Sequence, residues 1–144
     1  MKRPPSALAQ PFRVLLVDDN SHGLIARRSV LEEIGAAVST ATSGSEALDL
    51  LSASEYHLLV TDYKMPGMDG VELIRLARKS KPDLKIILLS GFVEPLGLTE
   101  QTTGADQVIA KCAGEVNMLV RTVIRLLTRK PPGSAPGTLR AKAQ

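Results

Sequence analysis

Carboxylate, hydroxyl and ammonium side chains stand at the ends of apolar runs that are far apart in the sequence. Asp18 and Asp19 follow the first apolar run, and Asp62 follows a later one. Ser90 and Lys111 each end another run. Carboxylate oxygens are the ligands that hard divalent cations prefer, and an ammonium group pairs with anions. Brought together, these five residues would form a site for a divalent cation and a phosphoryl group.

Phosphoryl transfer is the chemistry that this set of side chains suits. Three neighbouring carboxylates repel one another unless cations compensate their charge. Lys111 would supply one positive charge and Mg²⁺ two more, since Mg²⁺ accepts an all-oxygen site that keeps waters and one phosphate oxygen. A carboxylate beside that ion can attack phosphorus and form an acyl phosphate. The ion and Lys111 would neutralise the phosphoryl oxygens, and the Ser90 hydroxyl would donate a hydrogen bond to one of them.

The apolar runs alternate with segments of helical periodicity, which predicts five β-strands and five helices. The strands are predicted at 13–17, 37–41, 57–61, 84–89 and 107–110, and the helices at 21–34, 45–52, 71–79, 93–103 and 115–129. The strands are continuous apolar runs, as in a parallel sheet covered on both faces. We therefore predict a doubly wound α/β fold, in which ligands bind at the carboxyl ends of the strands.

Taken in order, several segments of the chain resemble the receiver domain of bacterial two-component response regulators. The matching segments are VLLVDDN at 14–20, VTDYKMPGMDG at 60–70, LLSG at 88–91, GAD at 104–106 and Lys111. The resemblance covers residues 12–129 and implies a flavodoxin-like, five-stranded parallel sheet with the strand order 2-1-3-4-5. It also implies a cytoplasmic signalling domain of a phosphorelay, not an enzyme, that catalyses only its own phosphorylation and slow dephosphorylation.

The resemblance implies roles for the acidic residues. Asp62 is similar to the phosphoacceptor, which takes its phosphoryl group from a sensor histidine kinase or a histidine phosphotransfer protein. Asp19 resembles the direct Mg²⁺ ligand, whereas Asp18 would act largely through water. Asp62 itself and the backbone carbonyl of Lys64 would complete the protein ligands of the ion.

The resemblance also implies the residues that read out phosphorylation, and two of these positions are atypical. Ser90 is similar to the switch hydroxyl and Lys111 to the phosphate-pairing lysine. Val108 stands where the family usually has an aromatic switch residue, and Cys112 replaces the proline that usually follows the lysine with a cis bond. Because a cis bond is costly without proline, we predict a trans bond before Cys112. We expect a complete acceptor site with a non-standard readout.

Composition and charge exclude several other classes of protein. Aromatic residues make up 3% of the chain and Trp is absent, which disfavours modules that bind nucleic acids by base stacking. The single cysteine excludes an internal disulfide framework and favours a reducing compartment. No apolar run approaches the roughly 20 residues of a membrane span. All 15 acidic residues lie between Val14 and Val120, whereas half of the 18 basic residues lie near the ends, so the basic pI does not predict DNA binding by the central part.

We predict a flexible leader at 1–11, a receiver domain at 12–130 and a flexible tail at 131–144. The tail is too short for a DNA-binding helix-turn-helix module, so we expect a stand-alone regulator whose output is contact with a downstream protein. The last helix has an apolar stripe that is predicted to face the core: Val116, Leu119, Val120, Val123, Leu126 and Leu127. Its other face is predicted to be solvated or to form a homodimer: Met118, Arg121, Arg125 and Arg129.

Two other functions remain open. A receiver-like module could bind partners without phosphorylation, which Val108 and the missing proline favour. A Mg²⁺-dependent phosphohydrolase with an aspartyl nucleophile is disfavoured, because Lys64 stands where such enzymes usually carry a second Asp.

Several of these residues also have a purely structural interpretation. The Asp18–Asn20 segment could cap the first helix, and Ser90 could end its strand in an ordinary turn. His22 and His57 are predicted to be structural or surface residues. Cys112 is predicted to be a small buried or half-buried side chain, and the Lys64 side chain to point to solvent.

Overall fold

Five parallel strands form the sheet of the computed structural model, which describes residues 11–91 and 97–128. The predicted tail and, apart from Pro11, the predicted leader lie outside the described residues. The strands are β1 (Arg13–Val17), β2 (Ala37–Ala41), β3 (Leu58–Asp62), β4 (Lys85–Ser90) and β5 (Gln107–Ala110). They are arranged in the order β2-β1-β3-β4-β5, and every neighbouring pair is parallel. The predicted fold class and strand order are confirmed.

Five helices are found in the described ranges: α1 (Ser21–Glu33), α2 (Gly44–Ala53), α3 (Gly70–Ser80), α4 (Glu100–Thr103) and α5 (Glu115–Thr128). Polar side chains cap the first three. Asn20, Ser43 and Asp69 each accept hydrogen bonds from backbone N–H groups of the first turn, which otherwise have no partner within the helix. These helices begin and end within one residue of their predicted bounds.

The fourth helix is much shorter than predicted. It was expected at 93–103, but within the described residues it begins only at Glu100, after a capping box in which Thr99 and Thr102 bond each other's backbone N–H groups. Gly97 has a φ of +64°, a left-handed conformation that an α-helix does not contain. The prediction was therefore wrong for 97–99, and 93–96 lie outside the described residues.

Both faces of the sheet are covered by apolar side chains. Leu15 and Val17 of β1 pack in a cluster with α2 and α3, whereas Val14 and Leu16 pack in a second cluster with α1 and α5. All five residues of β3, the central strand, are buried. Continuous apolar strands are what such a two-sided environment requires. No helix in the described ranges is long and apolar enough to cross a bilayer.

The last helix faces the core with a shorter stripe than predicted. Leu119, Val123 and Leu126 are buried, but Val116 is 39% exposed. Its prediction as a core residue was wrong: the first turn of α5 contacts α1 through the ion pair of Glu115 with Arg27, and Val116 is left exposed. Met118, Arg121 and Arg125 are exposed as predicted, and Arg129 lies outside the described residues.

Candidate functional site

The register of the sheet places the predicted site residues side by side at the carboxyl edge. Val17 is paired with Thr61, so Asp18 and Asp62 are the next residues of two adjacent strands. Asp62 is paired with Leu89, which puts Ser90 one position further along β4. Lys111 follows β5, and its backbone N–H donates to the carbonyl oxygen of Ser90 at 2.9 Å.

The three predicted carboxylates converge. One oxygen from each of Asp18, Asp19 and Asp62 can be chosen so that all lie within 4.8 Å of one another. Asp18 and Asp62 are buried, whereas Asp19 is exposed. A cluster of oxygen ligands at this spacing, partly open to water, fits a hard divalent cation that keeps some of its water ligands.

Asp62 forms an ion pair with Lys111, whose Nζ contacts the Asp62 Oδ1 atom. Burial raises the pKa of the Asp62 carboxyl above its usual value, and the charge of Asp18 raises it further. Lys111 opposes this shift through its hydrogen bond and charge, and Arg27 opposes it through its charge. Burial therefore makes ionisation of Asp62 unfavourable, and neighbouring cations stabilise its charged form.

Ser90 and Lys64 border the same cavity as the acidic residues and Lys111. Ser90 is the last residue of β4, is 1% exposed and lines this cavity. Lys64 lies in the loop after β3, and its side chain is exposed as predicted.

Capping of α1 is the role of Asn20 and not of the two preceding aspartates. The Asn20 Oδ1 atom accepts from the backbone N–H groups of His22 and Gly23 at 2.9 and 3.2 Å. Asp18 supports this turn, because its Oδ1 atom accepts from the Asn20 N–H at 2.9 Å. The capping interpretation of this segment is thus correct for one residue, while Asp18 and Asp19 both border the cavity.

Sequence reasoning missed Arg27 and Glu115. The Nη1 atom of Arg27 donates to Asp18 Oδ2 at 2.7 Å, and its Nε atom donates to Glu115 Oε2 at 2.9 Å. Burial by itself would lower the pKa of Arg27, but the hydrogen bonds and charges of Glu115 and Asp18 raise it, so the guanidinium is charged. The sequence does contain a signal for this ion pair. Arg27 lies between Leu24 and Leu31 on the buried face of α1, where an arginine requires anionic partners.

Two glycines allow the backbone to approach the site closely. A Cβ atom on Gly23 would lie 2.8 Å from Asp18 Oδ2 and 3.0 Å from Arg27 Nη1. A Cβ atom on Gly70 would overlap the backbone carbonyl oxygen of Asp62. At Gly70 the close atom is backbone, so this position excludes a side chain for reasons of space. At Gly23 the close atoms belong to the Asp18 and Arg27 side chains, which a Cβ atom would displace.

The two atypical switch positions differ in their environment. Val108 is half-buried, and its backbone N–H donates to Glu100 Oε2 at 2.8 Å, which connects β5 to α4. Cys112 is exposed; its prediction as a buried or half-buried side chain was wrong, because it lies in the turn between β5 and α5 and not in the strand. There is no cis peptide bond in the described ranges, as predicted for the bond before Cys112.

The histidines are structural or surface residues, as predicted. His57 Nδ1 accepts from the Arg13 backbone N–H at 2.9 Å, and the ring packs edge-on against Phe12. His22 is exposed in the first turn of α1.

The sequence and fold are similar to those of bacterial signalling proteins. The response regulator receiver domain model matches residues 14–123. The response regulator receiver protein CpdR of Brucella abortus is 39% identical over 80 residues, which cover 56% of this chain and 67% of that protein. The structure of the response regulator TrrA from Thermotoga maritima, in complex with Mg²⁺ and BeF, has a TM-score of 0.73 and 32% identity and covers 80% of this chain and 98% of that one.

Longer proteins contain matching segments. Sensor kinase CckA of Brucella abortus is 40% identical over 83 residues, which cover 56% of this chain and 9% of the kinase. The chain spans only 23% and 22% of two transcriptional regulators that it also matches. These similarities concern one segment of each protein, and the prediction of a stand-alone regulator stays a prediction. Because the receiver domain model matches most of the chain and the fold agrees with it, the chain belongs to the response regulator receiver domain family of two-component systems.

Proposed function

We propose that this chain accepts a phosphoryl group on Asp62 from the phosphohistidine of a sensor histidine kinase or a histidine phosphotransfer protein. The observation that carries the proposal is the ion pair of Asp62 with Lys111 beside two further carboxylates within 4.8 Å. In the receiver family this arrangement belongs to the phosphoacceptor site. As part of the same proposal we place the reaction in the cytoplasm, as the resemblance to two-component receiver domains implies.

In the proposed step, an Asp62 carboxylate oxygen attacks phosphorus, the P–N bond to the donor histidine breaks, and an acyl phosphate forms. Lys111 then pairs with a phosphoryl oxygen in place of the Asp62 oxygen. Ser90 lines the cavity, and its hydroxyl donates a hydrogen bond to a second oxygen. Attack of water on the same phosphorus slowly releases phosphate and regenerates the carboxylate. The domain thus catalyses only its own phosphorylation and dephosphorylation.

We assign the cation of this reaction as Mg²⁺. Asp19, Asp62 and the backbone carbonyl of Lys64 would hold it, with Asp18 acting through water. Asp19 suits direct ligation because it is exposed, whereas both Asp18 oxygens already accept hydrogen bonds from protein groups. Bound there, Mg²⁺ would neutralise charge on the phosphoryl oxygens.

Output by protein–protein contact is the remaining part of the proposal. The exposed face of α5 carries Met118, Arg121 and Arg125, a combination of an apolar side chain and cations that suits a downstream protein or a second copy of the chain.

Intact mass measured after incubation with acetyl phosphate and Mg²⁺ tests the acceptor. We expect one phosphoryl adduct on the wild type and none on Asp62→Asn. The matched control is Asp49→Asn, which removes an exposed carboxylate of α2 and should be modified like the wild type. No adduct on the wild type, or an adduct that survives Asp62→Asn, contradicts the assignment.

A receiver-like module that signals without phosphorylation is the second candidate. It is favoured by one observation, since Val108 offers no ring to rotate and its backbone is held by Glu100. Binding of a downstream partner should then be equal for the wild type and Asp62→Asn, both before and after treatment with acetyl phosphate.

A further inference from the structure

A guanidinium group from α1 lies within the acidic site. Arg27 borders the same cavity as Asp19 and Asp62, and its side chain is only 10% exposed. It bridges two carboxylates from different elements: Asp18, at the end of β1, and Glu115, in the first turn of α5. Arg27 Nη2 makes a second, longer hydrogen bond with Glu115 Oε1 at 3.4 Å.

This bridge changes the charge that an entering cation meets. Asp18 Oδ2 is taken by Arg27 and Asp18 Oδ1 by the Asn20 N–H. Both Asp18 oxygens therefore already accept from protein donors, and the guanidinium itself repels a divalent cation held nearby. Gly23 lies against this pair, since a Cβ atom there would be 2.8 Å from Asp18 Oδ2 and 3.0 Å from Arg27 Nη1.

Glu115 has the opposite effect, although it belongs to the same bridge. Its carboxylate shares the Arg27 guanidinium with Asp18, so it reduces the positive charge that Arg27 presents to the cavity. Its position in the first turn of α5 connects this charge balance to a helix whose next turns pack on the sheet.

We propose that Arg27 is a positioning residue that lowers and sets the divalent-cation affinity of the acidic site, and that Glu115 tunes this effect from the first turn of α5. The inference rests on the cation site of the proposed function. It predicts effects of opposite sign for the two partners of one ion pair: loss of Arg27 tightens cation binding, and loss of the Glu115 charge weakens it. A purely structural bridge would instead respond in the same direction to the loss of either partner.

Mg²⁺ titration of the full chain, followed by amide NMR signals, tests this difference. We expect Arg27→Met to bind Mg²⁺ about tenfold more tightly than the wild type, the scale of a unit charge a few ångströms away at a protein surface. Glu115→Gln should bind Mg²⁺ roughly threefold more weakly. Arg28→Met is the matched control, because Arg28 is exposed and pairs with Glu32 within α1; its affinity should equal that of the wild type.

Thermal unfolding gives a second readout. Arg27→Met should melt below the wild type in EDTA, because Asp18 keeps a buried, uncompensated charge. Added Mg²⁺ should raise its Tm more than it raises the Tm of the wild type, since binding to the folded state alone stabilises it.

The outcomes separate this inference from the function on which it rests. If the wild type binds Mg²⁺ but Arg27→Met and Glu115→Gln shift the affinity in the same direction or not at all, the role of Arg27 is wrong while the acceptor site stands. If the wild type and all variants bind no Mg²⁺, the cation site itself is wrong. Should Arg27→Met not fold, Glu115→Gln decides alone, because unchanged or tighter binding by that variant overturns the inference.

Discussion

Lys111 forms an ion pair with Asp62 although a whole strand lies between the two elements that carry them. Asp62 ends β3 and Lys111 follows β5, and the intervening β4 ends in the small side chain of Ser90. The lysine therefore spans the site from one side to the other. Its ammonium group compensates the buried acceptor before any phosphoryl group arrives, which makes it the first residue to test.

Replacement of Lys111 by Met should slow phosphorylation by acetyl phosphate about 100-fold, because one preorganised charge on the transferring group is lost. The initial rate is measured by intact mass at fixed Mg²⁺. The matched control is Lys85→Met, which removes an exposed lysine at the opposite end of β4 and should leave the rate unchanged. A Lys111→Met protein that reacts at the wild-type rate would show that the ion pair has no part in transfer.

The pH dependence of stability should report the buried acceptor. Burial raises the pKa of Asp62, so the folded protein holds this proton more tightly than the unfolded chain does. The free energy of unfolding therefore falls as the pH rises from the ordinary Asp pKa through the raised value. In EDTA, Asp62→Asn should be more stable than the wild type at neutral pH, and the difference should shrink as the pH falls towards 3.8, the usual value. Urea unfolding at several pH values measures this difference in the free energy of unfolding. A difference that grows towards acid pH would contradict the predicted direction of the Asp62 pKa shift.

Gly70→Ala should destabilise the domain by about 2 kcal/mol, because the new methyl group overlaps the carbonyl oxygen of Asp62 and lies 2.9 Å from Leu88 Cδ1. Gly91→Ala is the control, since among the described residues, apart from its chain neighbours, no atom lies within 4 Å of a Cβ at that position. Urea unfolding compares the two. Equal stability of both variants would mean that the backbone near Asp62 relaxes without cost.

Replacement of Asp18 and replacement of Asp19 should have different effects on the free energy of unfolding and on Mg²⁺ binding. Asp18→Asn removes one carboxylate from the buried Arg27 bridge and should lower the free energy of unfolding by about 2 kcal/mol in EDTA. Asp19→Asn changes an exposed side chain and should leave that stability unchanged while weakening Mg²⁺ binding about tenfold or more. Urea unfolding and Mg²⁺ titration of both variants measure this. Equal stability losses would contradict the division of roles.

The order of elements was predictable because it is encoded locally. Apolar runs, helical periodicity and turn residues each act over a few positions, and they place the strands and three of the helices almost to the residue. The fourth helix was not predictable in this way. Its start depends on the Thr99 capping box and on the left-handed conformation of Gly97, which compete with a weak helical pattern.

The sequence by itself determined which residues at the strand ends meet at the site, because parallel strands bring their carboxyl ends to one edge of the sheet whatever the details of packing. Asp18, Asp62 and Lys111 follow from this rule. Only the tertiary structure decided which cation compensates which carboxylate. The Arg27 bridge between Asp18 and Glu115 joins α1, the end of β1 and α5. It forms only because α1 and α5 pack side by side on the sheet, and no local pattern of residues encodes the distance between these two helices.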